Sequence, residues 1–242
     1  MRTIRLALLL LRSLGFYFGF ILSAIVYGVL VLLITPWISY PKRYWFISRW
    51  CVFVLLWLKL CCNIRIELEG REHLPKHAVV VLSNHQSTFE ALYLQLIFQP
   101  AVTVVKRELL FIPFFGWGLS LLKPISLNRR KQRSAGKQLL DQGRQALANG
   151  RHVLMFPEGT RVTGGEQRSL KMGGFHLAVH TQTDIIPIWH NAGESWPARQ
   201  IIKYPGIIRV KIGRPLAPQA KAQSLLTLYQ DWQTNSFKQT AV

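Results

Sequence analysis

The sequence is poor in acidic residues and in cysteine. Only 11 Asp and Glu stand against 30 Lys and Arg in 242 residues, which gives a formal net charge of +19 (30 − 11). The cysteines are Cys51, Cys61 and Cys62, and an odd number without metal-ligand spacing indicates neither a disulfide framework nor a zinc site. No G-x-S-x-G sequence is present, which argues against a serine hydrolase with a nucleophile elbow. Internal repeats and low-complexity segments are also absent from the sequence.

The excess of positive charge implies an anionic partner. Half of the residues are apolar and the mean hydropathy is +0.18, a high value for a soluble protein. The basic residues border apolar segments instead of forming the compact basic stripe that is typical of nucleic-acid binding. Basic residues in that position favour a membrane surface with anionic head groups over nucleic acid.

The N-terminal segment has the composition of a membrane anchor. Three arginines (Arg2, Arg5 and Arg12) precede an uncharged run that extends over residues 13–41. Within it, residues 14–35 are numerous enough to cross a bilayer, which takes about 20 apolar residues. The apolar region of a cleaved signal peptide is shorter, about 7–15 residues. We therefore expect this segment to be retained as an anchor.

A second apolar run, residues 50–62, is shorter and carries Lys59, so a full crossing is in question. We expect the segment between the two runs to be a loop, and it contains Lys42, Arg43 and Arg49. A two-span hairpin would place these charges on the side of the membrane that basic residues avoid. The alternatives are two true spans or a helical hairpin that enters one leaflet and returns.

The pattern changes at residue 63 to short apolar runs that alternate with helical periodicity, which predicts an α/β domain with a mainly parallel sheet flanked by helices. We accordingly divide the chain into an N-terminal two-helix membrane element (1–62) and an α/β domain (63–242). The last strand alternates apolar and polar residues, which favours an outer position, and the tail after Pro218 is predicted to be helical. The predicted strands are 64–68, 78–82, 101–105, 153–156, 185–189 and 207–212, and the predicted helices are 88–98, 133–149 and 171–181.

The first polar cluster is Ser-Asn-His-Gln-Ser-Thr-Phe-Glu at residues 83–90, directly after a predicted buried strand. Ligands of α/β proteins bind at the ends of parallel strands. His85 and Glu90 would be about 140° apart on one helix, so they can meet only if His85 lies in the loop and Glu90 in the first helical turn. A carboxylate that holds one imidazole nitrogen makes the other nitrogen a better base.

The same residues have a structural interpretation. Ser87 and Glu90 have the S-x-x-E spacing of a capping box, in which Glu90 only satisfies a backbone amide at the start of a helix. Residues 87–90 therefore permit two interpretations, a helix cap and the orienting carboxylate of a base.

The second cluster is Phe-Pro-Glu-Gly-Thr-Arg at residues 156–161, again after a predicted buried strand. Gly159 allows backbone amides to approach a ligand, and Arg161 offers a bidentate fork for phosphate. The alternative is an ordinary turn with a solvated arginine. Two such loops would open on the same edge of the sheet if their strands are parallel.

A third stretch combines charge with apolar residues. Lys106 begins a Lys-Arg-Glu-Leu segment, an apolar run with Pro113 and two glycines follows, and Arg129 comes after it. Proline and glycine interrupt this run as a helix, and it is too short to span a membrane. It is either an acyl-chain groove or membrane-facing lip, or a buried loop of the core.

Together these stretches resemble the 1-acylglycerol-3-phosphate acyltransferase family, also called lysophosphatidate acyltransferases. The resemblance rests on four ordered blocks across residues 63–215. The blocks are Asn84-His85 with Glu90, Lys106 with Arg129, residues 156–161, and Ile186-Pro187-Ile188. The acid of the first block is Glu90, where the family more commonly has Asp.

The resemblance implies a mechanism without an acyl-enzyme. His85 would take the proton of the acceptor hydroxyl, Glu90 would orient the imidazole, and the alkoxide would attack a thioester carbonyl. It further implies that the glycerol phosphate is held by Glu158, Gly159, Thr160 and Arg161, with charge added by Lys106 and Arg129. No cofactor and no metal are implied. The co-substrate would be acyl-CoA or acyl-carrier protein, and the product phosphatidic acid.

The implied location is a bacterial inner membrane, with the catalytic domain on the cytoplasmic face and the bilayer as a partner. Glu90 in place of Asp keeps open a lysophospholipid acyltransferase that uses another head group. The alternative from a different class is a lipid-binding membrane protein with the same fold and no catalysis.

Overall fold

The computed structural model describes residues 2–127, 132–162 and 168–240. Its helices and strands alternate from residue 64 onward, after two long helices at the N-terminus. The helices are α1 (Arg2–Ile34), α2 (Tyr40–Cys62), α3 (Phe89–Ile97), α4 (Phe115–Ser120), α5 (Gln132–Ala148), α6 (Gly173–Thr181), α7 (Ala192–Ser195) and α8 (Ala222–Thr240). The strands are β1 (Ile64–Glu69), β2 (Val80–Ser83), β3 (Ala101–Lys106), β4 (Ile125–Leu127), β5 (His152–Met155), β6 (Ile185–His190) and β7 (Gly206–Ile212).

The strands form one sheet in the order β1-β7-β6-β2-β5-β3-β4. Neighbouring strands are parallel except for β6 and β7, which pair antiparallel. Leu82 at the end of β2 pairs with Met155 of β5 on one side and with Pro187 of β6 on the other. The carboxyl ends of these three strands therefore lie side by side, which confirms the predicted mixed, mainly parallel sheet flanked by helices.

The sheet is covered on both faces, as its central strands predict. Along β2 and the residue before it, Val79 and Val81 belong to one buried cluster, and Val80 and Leu82 belong to the other. The first cluster includes residues of α1, α2 and α3, and the second includes residues of α5, α6 and α8. This separation follows from the two-residue period of a strand, which sends successive side chains to opposite faces.

The last strand is not an outer strand, contrary to the prediction. β7 lies between β1 and β6, and β1 pairs with it from Ile64 to Glu69. The alternation of β7 has another cause. Ile208, Val210 and Ile212 are buried on one face, whereas the residues between them are only partly buried. The strand is thus interior to the sheet but has a less covered face.

Three short elements were not predicted, β4, α4 and α7. α4 lies within the apolar run that proline and glycine were expected to interrupt. The helical conformation is interrupted just before α4, at Phe114, which has a φ of 60°. Gly116 in its first turn packs so closely on the backbone of Leu109 and Leu110 that a side chain would not fit. Glycine therefore permits this tight helical segment instead of preventing it.

Both N-terminal helices are long and apolar enough to cross a membrane by length and composition. The second helix begins at Tyr40, ten residues before the predicted apolar run, so α2 reaches 23 residues. Lys42, Arg43 and Arg49 consequently lie on α2 and not in a connecting loop. The connection is confined to residues 35–39, where the Arg43 side chain donates to the carbonyl oxygens of Thr35 and Ile38. The two alternatives, two true spans and a hairpin that enters one leaflet and returns, both stay predictions.

Candidate active site

The loop after β2 brings His85 and Glu90 together. His85 lies in the loop and Glu90 in the first turn of α3, as the helical geometry required. The Nδ1 atom of His85 is 2.6 Å from Oε1 of Glu90. With the proton on Nδ1, this nitrogen donates to the carboxylate and the lone pair is left on Nε2. The described residues offer no protein hydrogen bond to Nε2, so this nitrogen can accept a proton from a ligand.

Glu90 is completely buried, with no exposed surface. Its Oε1 also accepts hydrogen bonds from the backbone amides of Gln86 at 2.9 Å and Ser87 at 2.8 Å. Burial by itself would raise the pKa of Glu90. His190, His85 and the Ser87 amide outweigh that effect and lower the pKa of this carboxyl below its usual range. Glu90 is therefore an ionised carboxylate, held by one imidazole and two amides.

The ring of His85 is fixed from a second side by Phe156. The two rings are stacked, with centroids 4.3 Å apart and an interplanar angle of 14°. Phe156 is the first residue of the 156–161 loop, which follows β5. An imidazole that is held at Nδ1 and stacked on one face has little rotational freedom, so its Nε2 atom has a defined direction.

The 156–161 loop is joined directly to the loop of His85. Arg161 donates from Nε to the carbonyl oxygen of Ser87 at 2.8 Å, and the Val162 amide donates to the carbonyl oxygen of His85 at 2.7 Å. Arg161 is an exposed residue. The structure thus places Arg161 beside the His85 loop, with part of its fork used to connect the two loops.

A tight turn shapes this second loop. The Gly159 amide donates to the carbonyl oxygen of Phe156 at 3.0 Å, and Gly159 has a φ of +71°. Proline at the second position of a turn and glycine at the fourth favour such a geometry. The Lys171 side chain crosses over Gly159, and a Cβ at this position would lie 2.7 Å from Lys171 Cε. Glycine therefore permits both the backbone conformation and the approach of this lysine. Thr160, which follows, is partly buried.

Glu158 is the second carboxylate of the site. One of its oxygens, Oε2, is buried and has no hydrogen-bond partner among the residues that the structure describes. Burial raises the pKa of Glu158 to about 7, and the charge on Glu90 adds to this effect. The two carboxyls therefore differ in protonation near neutral pH, since Glu90 is ionised and Glu158 retains a proton for much of the time.

The structure places Lys106 at the carboxyl end of β3, on the same edge of the sheet as His85. Its side chain is exposed. In the ranges 2–127, 132–162 and 168–240, no hydrogen bond or ion pair joins Lys106 to His85, Glu90 or Arg161. Arg129 falls outside the described residues. Within those ranges, no group of three or more His, Cys, Asp or Glu side chains is arranged to hold a metal ion.

Sequence reasoning missed His190 and Lys171, and it named Asn84 in the first block without giving it a structural role. His190 and Asn84 bond to each other behind Glu90, and Lys171 covers Gly159. His190 directly follows the predicted buried strand 185–189, just as the first polar cluster follows the predicted strand 78–82, so the preference of ligand sites for strand ends could have identified it. Lys171 offered no comparable signal in the sequence. Its contact with Gly159 depends on tertiary packing, which no motif predicts.

The apolar stretch after Lys106 is exposed in part. Phe111 is 68% exposed, and Leu109, Ile112 and Trp117 are also exposed. α4 packs on α1 through Gly118 and Val31, and Phe114 lies against Gly28. The same helix α1 carries many exposed apolar side chains. This stretch continues the apolar surface of the hairpin, which favours the interpretation as a membrane-facing lip over a buried loop.

Residues 65–191 match the family model described as Acyltransferase, and these residues make up more than half of the chain. The chain belongs to the acyltransferase family. It is 44% identical to the 1-acyl-sn-glycerol-3-phosphate acyltransferase of Pseudomonas aeruginosa over 204 residues, which is 84% of this chain and 79% of that protein. The acyltransferase of the same name from Saccharomyces cerevisiae is 32% identical over 165 residues, 67% of this chain and 54% of that protein.

The fold agrees with a solved member. The crystal structure of the 1-acyl-sn-glycerophosphate (LPA) acyltransferase of Thermotoga maritima covers all of this chain with a TM-score of 0.83 at 24% sequence identity, and 98% of that chain is covered. The resemblance predicted from the four blocks is therefore confirmed at the level of the family, and the acyltransferase fold includes the two N-terminal helices. Membership in the family identifies the chain as an enzyme and disfavours a lipid-binding protein without catalysis.

Proposed function

We propose that this acyltransferase moves a fatty acyl group from a thioester to the sn-2 hydroxyl of 1-acyl-sn-glycerol 3-phosphate and so produces phosphatidic acid. The observation that carries the proposal is the 2.6 Å contact of His85 Nδ1 with a buried, ionised Glu90, beside a loop that carries Arg161. A fixed imidazole with a free Nε2 is suited to deprotonate a hydroxyl group. An exposed guanidinium next to it is suited to hold the phosphate of the same molecule.

The reaction then needs one base and no covalent intermediate on the enzyme. Nε2 of His85 accepts the proton of the acceptor hydroxyl as its oxygen attacks the thioester carbonyl carbon. The carbon–sulfur bond breaks, and the thiol leaves with a proton returned from His85. Glu90 stabilises the imidazolium that forms between these two steps. Ser87 is not the nucleophile in this scheme, because its hydroxyl already accepts the backbone amide of Phe89 at 3.2 Å at the start of α3.

We assign the acceptor's glycerol phosphate to the 156–161 loop. Arg161 supplies a fork for two phosphate oxygens, and Gly159 allows the Lys171 side chain to lie close to this loop. A partly protonated Glu158 can donate a hydrogen bond to a phosphate oxygen, whereas an ionised carboxylate would repel it. Thr160, Lys171 and the more distant Lys106 add polar and positive groups on the same side, and we assign Arg129 to this set from its sequence block.

A lipid acceptor requires a membrane location. The proposal places residues 1–62 in or on the bilayer, with the 63–242 domain on the cytoplasmic face of a bacterial inner membrane. The exposed apolar side chains of α1 and of Phe111 support such an orientation, because they would be costly to leave in water. The net charge of +19 would favour anionic head groups.

Purified enzyme tested on a panel of lyso-lipids decides the acceptor. Each lyso-lipid is offered with acyl-CoA and, separately, with acyl-carrier protein, and free thiol and product are both measured. We expect transfer to 1-acyl-sn-glycerol 3-phosphate to exceed transfer to lyso-lipids with a larger head group. A preference for one of the latter would favour the lysophospholipid alternative that Glu90 suggests. Release of thiol without lipid product would contradict the proposal.

A further inference from the structure

His190 lies directly behind the catalytic pair although no sequence block includes it. It is the last residue of β6, next to β2, whose end leads into the loop of Asn84 and His85. Its side chain is completely buried. A buried histidine must have hydrogen-bond partners, so the identity of those partners indicates what the residue does.

His190 and Asn84 are joined by three hydrogen bonds. Asn84 Nδ2 donates to the carbonyl oxygen of His190 at 2.8 Å, and the His190 amide donates to Asn84 Oδ1 at 3.0 Å. The imidazole Nε2 of His190 lies 2.8 Å from the carbonyl oxygen of Asn84. The ends of β2 and β6 are thereby linked beyond the last pair of the sheet, and the residue before His85 is fixed to the neighbouring strand.

The hydrogen bonds also determine the tautomer of His190. The Ala192 amide donates to Nδ1 of this ring at 3.2 Å, so Nδ1 must be the acceptor. The proton is then on Nε2, which donates to the Asn84 carbonyl oxygen. The same Nε2–H edge lies 3.8 Å from Oε2 of Glu90. Burial lowers the pKa of His190, which agrees with a neutral ring whose positive edge faces the carboxylate.

Glu90 needs such a neighbour on this side. Its Oε1 already has three donors, whereas Oε2 is buried and has no hydrogen-bond partner in the described part of the chain. The Nε2–H of His190 lies 3.8 Å from this oxygen. A positive N–H edge at this distance favours the ionised carboxylate in a buried environment.

We propose that His190 is a positioning residue for catalysis, which keeps Glu90 ionised through Nε2–H and holds the Asn84–His85 loop in register. The rate measurements that test this proposal rest on the proposed function. Proton uptake by the His85–Glu90 pair does not, because it can be followed without any substrate. His190 acts through Glu90 and does not contact the reacting atoms.

The effect on proton uptake has a definite sign. The titratable groups that face His190 are Glu90 in α3 and His85 in the loop after β2. On β7, the residue paired with His190 is Val210, and the neighbouring Arg209 pairs with Glu67 at 3.5 Å. A positive edge beside the pair opposes proton uptake. Its removal should therefore let His85 and Glu90 bind a proton at higher pH and should reduce the fraction of active base near neutral pH.

The test compares His190→Leu, which has no N–H, with His190→Gln, whose amide can still donate toward Asn84 and Glu90. Asn84→Ala is the matched control, because it removes the side-chain links to β6 but leaves the His190 ring in the protein. The readouts are the pH profile of kcat/KM, the acceptor KM, the melting temperature and a 15N-histidine NMR titration of His85 without substrate. His176→Ala, an exposed change on α6, controls for unspecific effects.

For His190→Leu we expect the acid limb of kcat/KM and the NMR midpoint to move together to higher pH by about one unit. kcat near neutral pH should fall by roughly tenfold or more, with the acceptor KM almost unchanged. His190→Gln should show a smaller shift of the acid limb and of the NMR midpoint. Asn84→Ala should lower the melting temperature and leave the acid limb of kcat/KM where it is in the wild type. If His190→Leu does not fold, His190→Gln tests the proposal alone, and a shift of its acid limb to higher pH supports it.

A uniform loss of rate with an unchanged midpoint would overturn the proposal and leave His190 as a structural residue only. Failure of the proposed function is a different result. The wild-type enzyme would then transfer no acyl group to 1-acyl-sn-glycerol 3-phosphate, while the NMR titration would still report whether His190 acts on the pair.

Discussion

The Glu90 carboxylate accepts the Ser87 backbone amide, as the acid of a capping box does, and it also holds the imidazole of His85. Oε1 of Glu90 accepts the Ser87 amide at 2.8 Å, and the same oxygen accepts Nδ1 of His85 at 2.6 Å. The Ser87 hydroxyl accepts the Phe89 amide in the same turn. The helix cap and the orientation of the base are therefore one arrangement of atoms. The two interpretations of residues 87–90 are compatible, and we expect a change at Glu90 to affect both stability and activity.

We expect Glu90→Gln to reduce both the stability and the activity of the enzyme. The amide oxygen can still accept the backbone amides, so the free energy of unfolding should fall by only about 1–3 kcal/mol. The negative charge that stabilises the imidazolium is lost, so kcat should fall by about 10²-fold or more. Turnover and denaturant unfolding in detergent micelles measure the two effects. A normal rate in a destabilised variant would restrict Glu90 to the cap.

His85→Ala should lower kcat by about 10²–10⁴-fold, because the general base is removed. The fold should be almost unaffected, since the ring stacks on Phe156 in the loop and is not part of either buried cluster. His77→Ala is the control, because His77 is exposed and precedes β2 at the other edge of the sheet. More than a tenth of wild-type turnover in His85→Ala would exclude its assignment as the base.

Glu158 should make the folded state less stable as the pH rises. Its folded pKa is about 7, against about 4.3 in an unfolded chain, so the folded state binds the extra proton between these values. The stabilisation is present in full below pH 4.3 and is lost as the pH rises through 7. Glu158→Gln removes the dependence. The stability of the wild type relative to this variant should fall by about 1–3 kcal/mol between pH 4.5 and 7.5 in detergent melts. A constant difference would mean that Glu158 is ionised throughout.

Arg161→Ala should raise the acceptor KM strongly and leave the donor KM nearly unchanged, because the guanidinium is assigned to the acceptor phosphate. Arg161→Lys should fall between the two, since it keeps the charge but loses the fork and the Nε contact with Ser87. Arg144→Ala, an exposed change on α5, is the matched control for net charge. If Arg161→Ala instead raises the KM for the thioester, the 156–161 loop belongs to the donor and our assignment of the phosphate is wrong.

Deletion of residues 1–62 should leave a protein that aggregates. Phe16, Val54 and Leu58 of the hairpin are buried in the cluster that also contains Val81 of β2 and Ile208 of β7. Removal of the two helices would expose that face of the sheet to water. Size-exclusion chromatography and circular dichroism of the truncated chain check this. A monomeric, folded product would support residues 1–62 as an anchor that is separable from the 63–242 domain.

Much of the fold is encoded locally and could be predicted from the sequence. Alternation of apolar and polar residues predicted β1 and β7, and short apolar runs predicted β2, β3, β5 and β6. Helical periodicity predicted α3, α5 and α6 within two residues of their ends. The meeting of His85 with Glu90 was also predictable, because five residues of chain and the geometry of one helical turn decide it. β4 is only three residues long and α2 begins in a charged segment, so neither boundary has a clear apolar pattern.

What only the tertiary structure decided is which residues of distant segments are neighbours. β6 lies next to β2, and this brings His190 to Asn84, which is 106 residues away in the chain, and to Glu90. The same kind of long-range packing puts Lys171 over Gly159 and makes β7 an interior strand. Strand order depends on how whole faces of helices and strands are buried together, and a local pattern of apolar residues is compatible with several orders. The sequence by itself thus determined which polar side chains follow each strand. The order of the strands, which is a property of the tertiary structure, determined which of these side chains lie together.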